Sequence, residues 1–180
     1  GMVLALLPGS AAATASAAGS AIGYREQVVQ LDGDLSDWDA RTLLAEFADP
    51  DGETAARNHV RVWASWDLDA LWLAVAVDDA ELVEAPAEAR VDQYHAYDSL
   101  QVYLDPDGDD GDTMDEDDID LILLPDGRRG VLRGDRLLAR LVDARVPQRE
   151  GAPLLLDVAV RRRTGGWDTE LRVPFAALGV

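Results

Sequence analysis

The side chains best able to do chemistry are carboxylates crowded between positions 105 and 120. Asp105, Asp107, Asp109, Asp110, Asp112, Asp115, Glu116, Asp117, Asp118 and Asp120 stand there with no cation among them, and they carry more than half of the formal net charge of −19. Mutual repulsion makes such a set costly unless water or a bound cation screens it. Calcium is the cation that suits it, because it takes roughly six to eight hard oxygen ligands in a flexible shell. Asp105, Asp107 and Asp109 fall at alternate positions and Glu116 is twelfth from Asp105, which is the spacing of an EF-hand loop. The sixth position, where that loop needs glycine, is Asp110, with Gly111 one place late, and no helical pattern flanks the segment. Two readings follow. One is a calcium loop of non-EF-hand geometry with Asp105, Asp107, Asp109, Asp112, Asp115 and Glu116 as ligands; the other is a solvated acidic hairpin tip. Calcium is the expected cofactor.

Other chemistries have less to work with. A glycosidase needs two carboxylates at a set separation with their pKa values pushed apart, and a chain with 35 acidic residues singles out no pair. G-x-S-x-G, H-E-x-x-H and Gly-rich phosphate-loop patterns are absent. No cysteine supplies a nucleophile, a thiolate ligand or a disulfide. Against the 35 acidic residues stand 16 basic ones, all arginine. That balance repels phosphate backbones and anionic lipid headgroups. Nucleic acid and membrane surfaces are excluded as partners, and a membrane is reached only through an anchor outside this chain. The short run Arg161-Arg162-Arg163 reads as an offset to the acidic surface. The expectation is a binding module, not an enzyme.

The scaffold that would position these groups is legible in alternation. Val60, Val62, Ala64 and Trp66 alternate with Arg61, Trp63 and Ser65, a period of two that predicts a half-buried strand. After a turn at 67–69, Leu71, Leu73, Val75 and Val77 form the inward set of the next strand and leave Trp72, Ala74 and Ala76 on its other face. Leu100, Val102 and Leu104 repeat the pattern, as do Leu121 and Leu123. Asp126-Gly127 predicts a two-residue hairpin, and Gly165-Gly166 a turn between 154–163 and 167–173. Eight or nine short strands without a long amphipathic helix predict an all-β fold. The architecture is an antiparallel β-sandwich, jelly-roll or immunoglobulin-like, and 180 residues suit one such domain. Trp66 and Trp167 read as packing residues. Trp63 and Trp72 fall opposite the core sets, where an indole either covers a second face or stacks on a sugar ring.

Residues 1–24 read differently. They are rich in Ala, Gly and Ser around one brief apolar run at 2–7, which is too short to span a bilayer. The expectation is a leader or linker, either the remnant of a signal peptide or membrane anchor or a flexible or helical lead-in.

Four motifs then follow in order: 31–38 (LDGDLSDW), 66–73 (WDLDALWL), 98–106 (DSLQVYLDP) and 169–179 (TELRVPFAALG). Together they resemble the family 9 carbohydrate-binding modules and their relatives in the DOMON-like β-sandwich superfamily. In the first motif Asp32, Asp34 and Asp37 suit Asx turns that accept backbone N–H groups, with Trp38 folded beneath as an apolar plug. The resemblance implies a noncatalytic module that binds carbohydrate or another small ligand, works in the periplasm or outside the cell, and carries structural calcium. In that family a sugar is gripped between two tryptophans, one of them three residues before the Asp of W-x-x-D-S-x-E, whose glutamate bonds to hydroxyls. Here residues 95–101 read HAYDSLQ, so His95 stands at the tryptophan position and Gln101 at the glutamate. Tyr94 and Tyr97 flank that run and offer a stacking surface, and Gln101 still donates and accepts hydrogen bonds. The implied carbohydrate site is Tyr94, His95, Tyr97 and Gln101, with Trp72 as a further platform. The second tryptophan of the family should come from beyond PFAALG, so residues 25–180 are expected to lack a final strand or to belong to a longer protein. Two alternatives stay open: the periplasmic ligand-sensing domain of a membrane-anchored signalling protein such as a sensor kinase, and a carbohydrate-active enzyme domain. Haem held by His59, His95 or Met114, as in some DOMON relatives, finds no support in their spacing.

Overall fold

The structure, a computed structural model, describes residues 2–7, 13–15, 22–26, 28–48, 58–89, 91–106, 108, 118–133, 136–137, 145–146 and 154–178. Its strands are β1 (Met2–Leu7), β2 (Ala13–Ala15), β3 (Gly23–Tyr24), β4 (Leu43–Ala48), β5 (Asn58–Trp66), β6 (Ala70–Asp79), β7 (Ser99–Leu104), β8 (Ile119–Leu123), β9 (Arg129–Arg133), β10 (Arg136–Leu137), β11 (Arg145–Val146), β12 (Leu154–Leu155), β13 (Asp157–Arg163) and β14 (Gly166–Pro174). Nine of these described strands have five or more residues, the number that alternation predicts, and the rest are pairings of two or three residues. Among the described residues, helix is confined to short 3₁₀ segments and the four residues of Phe175–Leu178. The chain is all-β, of the β-sandwich class. No helix among the described residues is long and apolar enough to cross a membrane.

Two compact units divide the chain. The first comprises Gly1–Ser16, Val83–Leu156 and Ala176–Val180. Its main sheet is antiparallel, in the order β10-β9-β8-β7-β1-β2, and β11 pairs with β12 in a small second sheet. Leu100, Val102 and Leu104 of β7, Ile119, Leu121 and Leu123 of β8 and Val131 of β9 are buried on one face. The opposite face carries Gln101, Tyr103, Asp120 and Ile122, because Tyr103 is register partner to Asp120 and Gln101 to Ile122. β1 lies within the segment read as a leader, and it pairs along its whole length with β7, Met2 opposite Leu104 and Leu7 opposite Ser99. A run of six apolar residues meets the needs of a buried strand as well as those of a leader, and periodicity does not separate the two.

The second unit comprises Ala17–Leu82 and Asp157–Phe175. Its sheet runs β13-β14-β6-β5, with short parallel β3 and antiparallel β4 both on the far edge of β5. The hairpin of β5 and β6 pairs as the alternation predicts, Val62 opposite Val75 and Ala64 opposite Leu73. Asp67 closes its turn by accepting the Asp69 and Ala70 amides, both at 2.9 Å. The core face holds Val60, Val62, Leu71, Leu73, Val75, Val77, Trp167, Leu171 and Val173, all buried. Trp66 sits on the same strand but is 38% exposed, near the strand end.

Two turns differ from expectation. The β8–β9 loop has three residues, 125–127, and not two. Gly127 N–H donates to Leu124 O at 2.9 Å, Leu124 N–H donates to Arg128 O at 2.8 Å, and Gly127 takes φ +87°. A type I turn followed by a left-handed glycine makes that connection, and it uses the same Asp-Gly pair. In the β13–β14 hairpin the turn residues are Thr164 and Gly165, and Gly166 already pairs with Arg163.

Candidate functional site

In the first unit, residues 83–89 and 91–97 form a cover over part of the sheet face that holds Gln101. The cover is fastened at its ends by the DS motif: Asp98 N–H donates to Val83 O at 3.0 Å, and Val83 N–H donates back to the Asp98 carboxylate. Arg128, on the β8–β9 hairpin, clamps the middle. Its Nη1 donates to Pro86 O at 2.7 Å, its other terminal nitrogen donates to Ala85 O, and its Nε is held by Asp126 at 2.7 Å. Ala85 of the cover packs on Ile122 and Leu124 beneath it, and Tyr94, Tyr97, Ala89 and Leu132 pack against them. Tyr94 and Tyr97 are half-buried, and His95 is exposed with its ring edge-on to Tyr94 at 5.8 Å. Aromatic faces braced by an apolar bed and flanked by an exposed imidazole can stack on a planar or sugar-like ligand.

Gln101 is fully buried. Its Oε1 accepts the Tyr103 hydroxyl at 2.6 Å. Asp120, also buried, lies against the same hydroxyl from the neighbouring strand. Burial lifts the Asp120 carboxyl to about 7, and the adjacent Tyr103 hydroxyl holds it back from going higher. Burial likewise raises the Tyr103 and Tyr94 hydroxyls, with the nearby Asp120 charge adding to both. The approach of the Gln101 amide pulls Tyr94 the other way, although Gln101 Nε2 makes no bond of ordinary geometry there. Ser99 Oγ and Asp120 Oδ1 are also buried without a hydrogen-bond partner among the described residues. Asp120 therefore belongs to a sheet-face polar chain and not to the acidic loop with which its sequence position groups it. Sequence reasoning missed it because Asp120 closes the carboxylate run that begins at Asp105 and so groups with that loop.

The second unit is organised by another buried carboxylate, Glu170 on β14. Trp38 Nε1 donates to its Oε1 at 2.9 Å, and the backbone N–H groups of Asp32 and Gly33 donate to its Oε2 at 2.9 and 2.6 Å. Burial raises its pKa, partly offset by those three bonds. The Asx turns at Asp32 and Asp34 form as expected, to Asp34 N–H at 2.8 Å and Ser36 N–H at 3.1 Å. Asp37 instead accepts from Gln30 N–H at 2.8 Å. Trp72, read as a stacking platform, is engaged within this unit. Its indole N–H donates to Asp67 at 2.7 Å, and the guanidinium groups of Arg25 and Arg172 stand 4.2 and 5.7 Å from its ring centroid. The basic run is likewise internal: Arg161 pairs with Asp34 at 2.8 Å and Arg163 with Asp168 at 3.0 Å.

Among solved structures, the chain is similar to a family 9 carbohydrate-binding module (CBM9) from Caldicellulosiruptor kristjanssonii, determined in complex with cellotriose and in complex with glucose. Both comparisons give 16% sequence identity and a TM-score of 0.58. The chain has a CBM9-like fold. The matched region covers 85% of this chain and 65% and 66% of those chains, so this sequence spans just under two thirds of their length. No protein-family model matches the chain, and no curated protein matches it.

Within the CBM9-like fold, the sequence-predicted residues Tyr94, His95, Tyr97 and Gln101 lie together at one cover and strand, whereas Trp72 belongs to the other unit with its own partners. Of the predicted calcium ligands only Asp105 is described; its Oδ1 accepts Gly108 N–H at 2.6 Å. Asp107, Asp109, Asp112, Asp115 and Glu116 lie outside the described residues. No group of three or more His, Asp or Glu side chains within reach of one ion occurs among the described residues. Arg128, Tyr103, Asp120 and Glu170 are the site-building residues that the sequence did not single out.

Proposed function

We infer that the chain is a noncatalytic carbohydrate-binding module whose ligand surface is built on Tyr94, His95 and Tyr97. The observation that carries this reading is the CBM9-like fold, whose solved counterparts were determined in complex with cellotriose and with glucose. The braced tyrosine pair supports it, since half-exposed aromatic rings on a fixed cover are suited to the apolar faces of pyranose rings. In this reading Gln101 and the Asp120–Tyr103 pair support the surface from below, and Trp72 packs against arginines in place of a sugar. Calcium ordering of the 105–116 loop and a location in the periplasm or outside the cell complete the proposal.

Calorimetric titration with glucose and cellotriose tests it. The parent chain is expected to bind at least one of them, and Tyr97→Ala to weaken that binding about tenfold, the equivalent of about 1.4 kcal/mol. Uptake of neither sugar, or equal affinity in parent and Tyr97→Ala, would overturn the assignment.

A further inference from the structure

The second unit holds a cleft of about 320 Å³. Its walls are the segment around β3 and the 3₁₀ turns Leu35–Asp37, within the DGDLSDW motif, and Ala40–Thr42, just after it, and they include Tyr24, Arg25, Asp37, Trp38, Asp39 and Arg41. The size is at the lower end of the range for small-molecule sites, about 300–1,000 Å³, enough for one or two sugar rings. None of the residues read from the family resemblance as sugar-binding lies in it.

The walls are held in place by contacts that a ligand would not have to create. Trp38 is fixed by its bond to Glu170. Tyr24 is 51% exposed, and its ring stands edge-on to Trp66 at 4.9 Å. Trp66 in turn is tied down by its indole N–H to Ile22 O at 2.9 Å. Asp39 orients Arg41 through three bonds, from the backbone N–H at 2.8 Å, Nε at 2.9 Å and Nη2 at 2.5 Å. The Arg41 side chain is nevertheless 87% exposed, so an aimed guanidinium fork points its remaining donors to solvent. A site whose groups are already oriented avoids much of the ordering cost of binding.

The ligand class follows from the mixture of charges. Arg25 and Arg41 face Glu26, Asp37 and Asp39 in the same lining. An anion would meet those carboxylates and the net charge of −19, and a bare cation would meet the two guanidinium groups. Asp37 gives one oxygen to Gln30 N–H, and its other, Oδ1, is buried behind the wall without a hydrogen-bond partner, so Glu26 and Asp39 are the carboxylates that a ligand meets first. A neutral molecule with many hydroxyls satisfies all of these at once: its O–H groups donate to carboxylates, its oxygens accept from Arg41, and its C–H face lies on an aromatic ring. We propose that this cleft is a second saccharide site, one that takes a neutral mono- or disaccharide and is built from the Tyr24–Arg25 segment and the turns at 37–42.

The test is a heteronuclear NMR titration of the full chain with cellobiose, maltose and lactose, using glucose 6-phosphate and glucosamine as charged controls. Backbone amides of Tyr24, Arg25, Asp37 and Arg41 and the Trp38 indole N–H are expected to shift saturably with at least one neutral disaccharide. Arg41→Ala and Tyr24→Ala are each expected to raise the apparent Kd about tenfold, while Tyr97→Ala leaves these shifts unchanged. Arg41→Lys, which keeps the charge and loses the fork, is expected to resemble Arg41→Ala. Silence of these amides toward every neutral sugar, a response to the charged controls alone, or indifference to all the Arg41 and Tyr24 variants would overturn the proposal. Movement confined to amides 94–101 would leave the first site standing and remove this one.

Discussion

Trp38 and Glu170, 132 positions apart, are joined by an indole N–H to carboxylate bond of 2.9 Å. The bond links the first and last of the four sequence motifs. It also explains why an acidic residue stands at a fully buried position on a strand: Glu170 replaces lost solvation with three donors, two of them from the backbone of the DG turn. The turn is thus tied to the sheet by a charge, and the indole completes that charge's coordination.

Glu170→Ala strands three donors, and a loss of about 3–5 kcal/mol is expected. Trp38→Phe removes one donor and should cost about 1–3 kcal/mol. Urea denaturation of the parent, both single variants and the double variant should give a coupling energy of about 1 kcal/mol or more. Strictly additive losses would mean that the bond contributes nothing of its own.

The motif pair was readable as a resemblance, but its joint was not, because nothing local marks which of 35 acidic residues will be buried. The β5–β6 hairpin was legible down to which residues face the core, since Val60, Val62 and Ala64 alternate against polar or aromatic neighbours and one face is buried. Asp120 shows the opposite case. Its strand was visible through Leu121 and Leu123, but Asp120 itself grouped with the acidic loop, because the Ala-rich segment that covers its face has no periodicity to announce that it lies there. Tyr94, Tyr97 and Gln101 were placed together by motif alone, yet the burial of Gln101 depends on that same cover.

Asp120 makes stability fall with rising pH. Its folded carboxyl titrates at about 7, above the ordinary value of about 4. Between these values the folded chain keeps a proton that the unfolded chain has released. Its contribution is therefore whole below about pH 4 and is lost as the pH climbs through about 7. Asp120→Asn, which stays neutral, should be more stable than the parent at pH 8 relative to pH 4, by up to the order of 4 kcal/mol. Denaturation midpoints of both proteins at the two pH values check this; parallel pH curves would show that Asp120 is charged in the folded chain.

Gly33 and Gly127 both hold left-handed backbone, at φ +80° and +87°. A Cβ on Gly33 would sit 2.7 Å from Arg161 Cβ and 3.0 Å from Arg161 N, whereas one on Gly127 would meet nothing within 4 Å. Gly127→Ala should cost about 1–2 kcal/mol from the backbone alone. Gly33→Ala should cost about 1–3 kcal/mol more, from forced repacking of β13. Thermal unfolding of the two variants side by side measures the gap, and equal losses would rule out the steric part.

Calcium, if it organises the acidic loop, should raise the melting temperature of chelated protein at fixed ionic strength, and magnesium should not. Replacing Asp105 and Asp107 together with Asn should abolish that rise while leaving the chelated melting temperature almost unchanged. The same calcium response in parent and double variant would assign the ion elsewhere.

Strand β14 lies between β6 and β13, and it is separated from β6 in sequence by the whole of the 83–156 segment that builds the other unit. On the ribosome, the β6 edge from Ala70 to Asp78 is made long before its partner. Until residues 166–174 are synthesised, a nearly all-apolar strand stands with an open hydrogen-bonding edge, the kind of edge that recruits foreign strands. The DG turn stays unfastened for the same interval. Slow folding dominated by long-range pairing is the kinetic signature of such an order, and chains stalled before β14 are the ones that should aggregate.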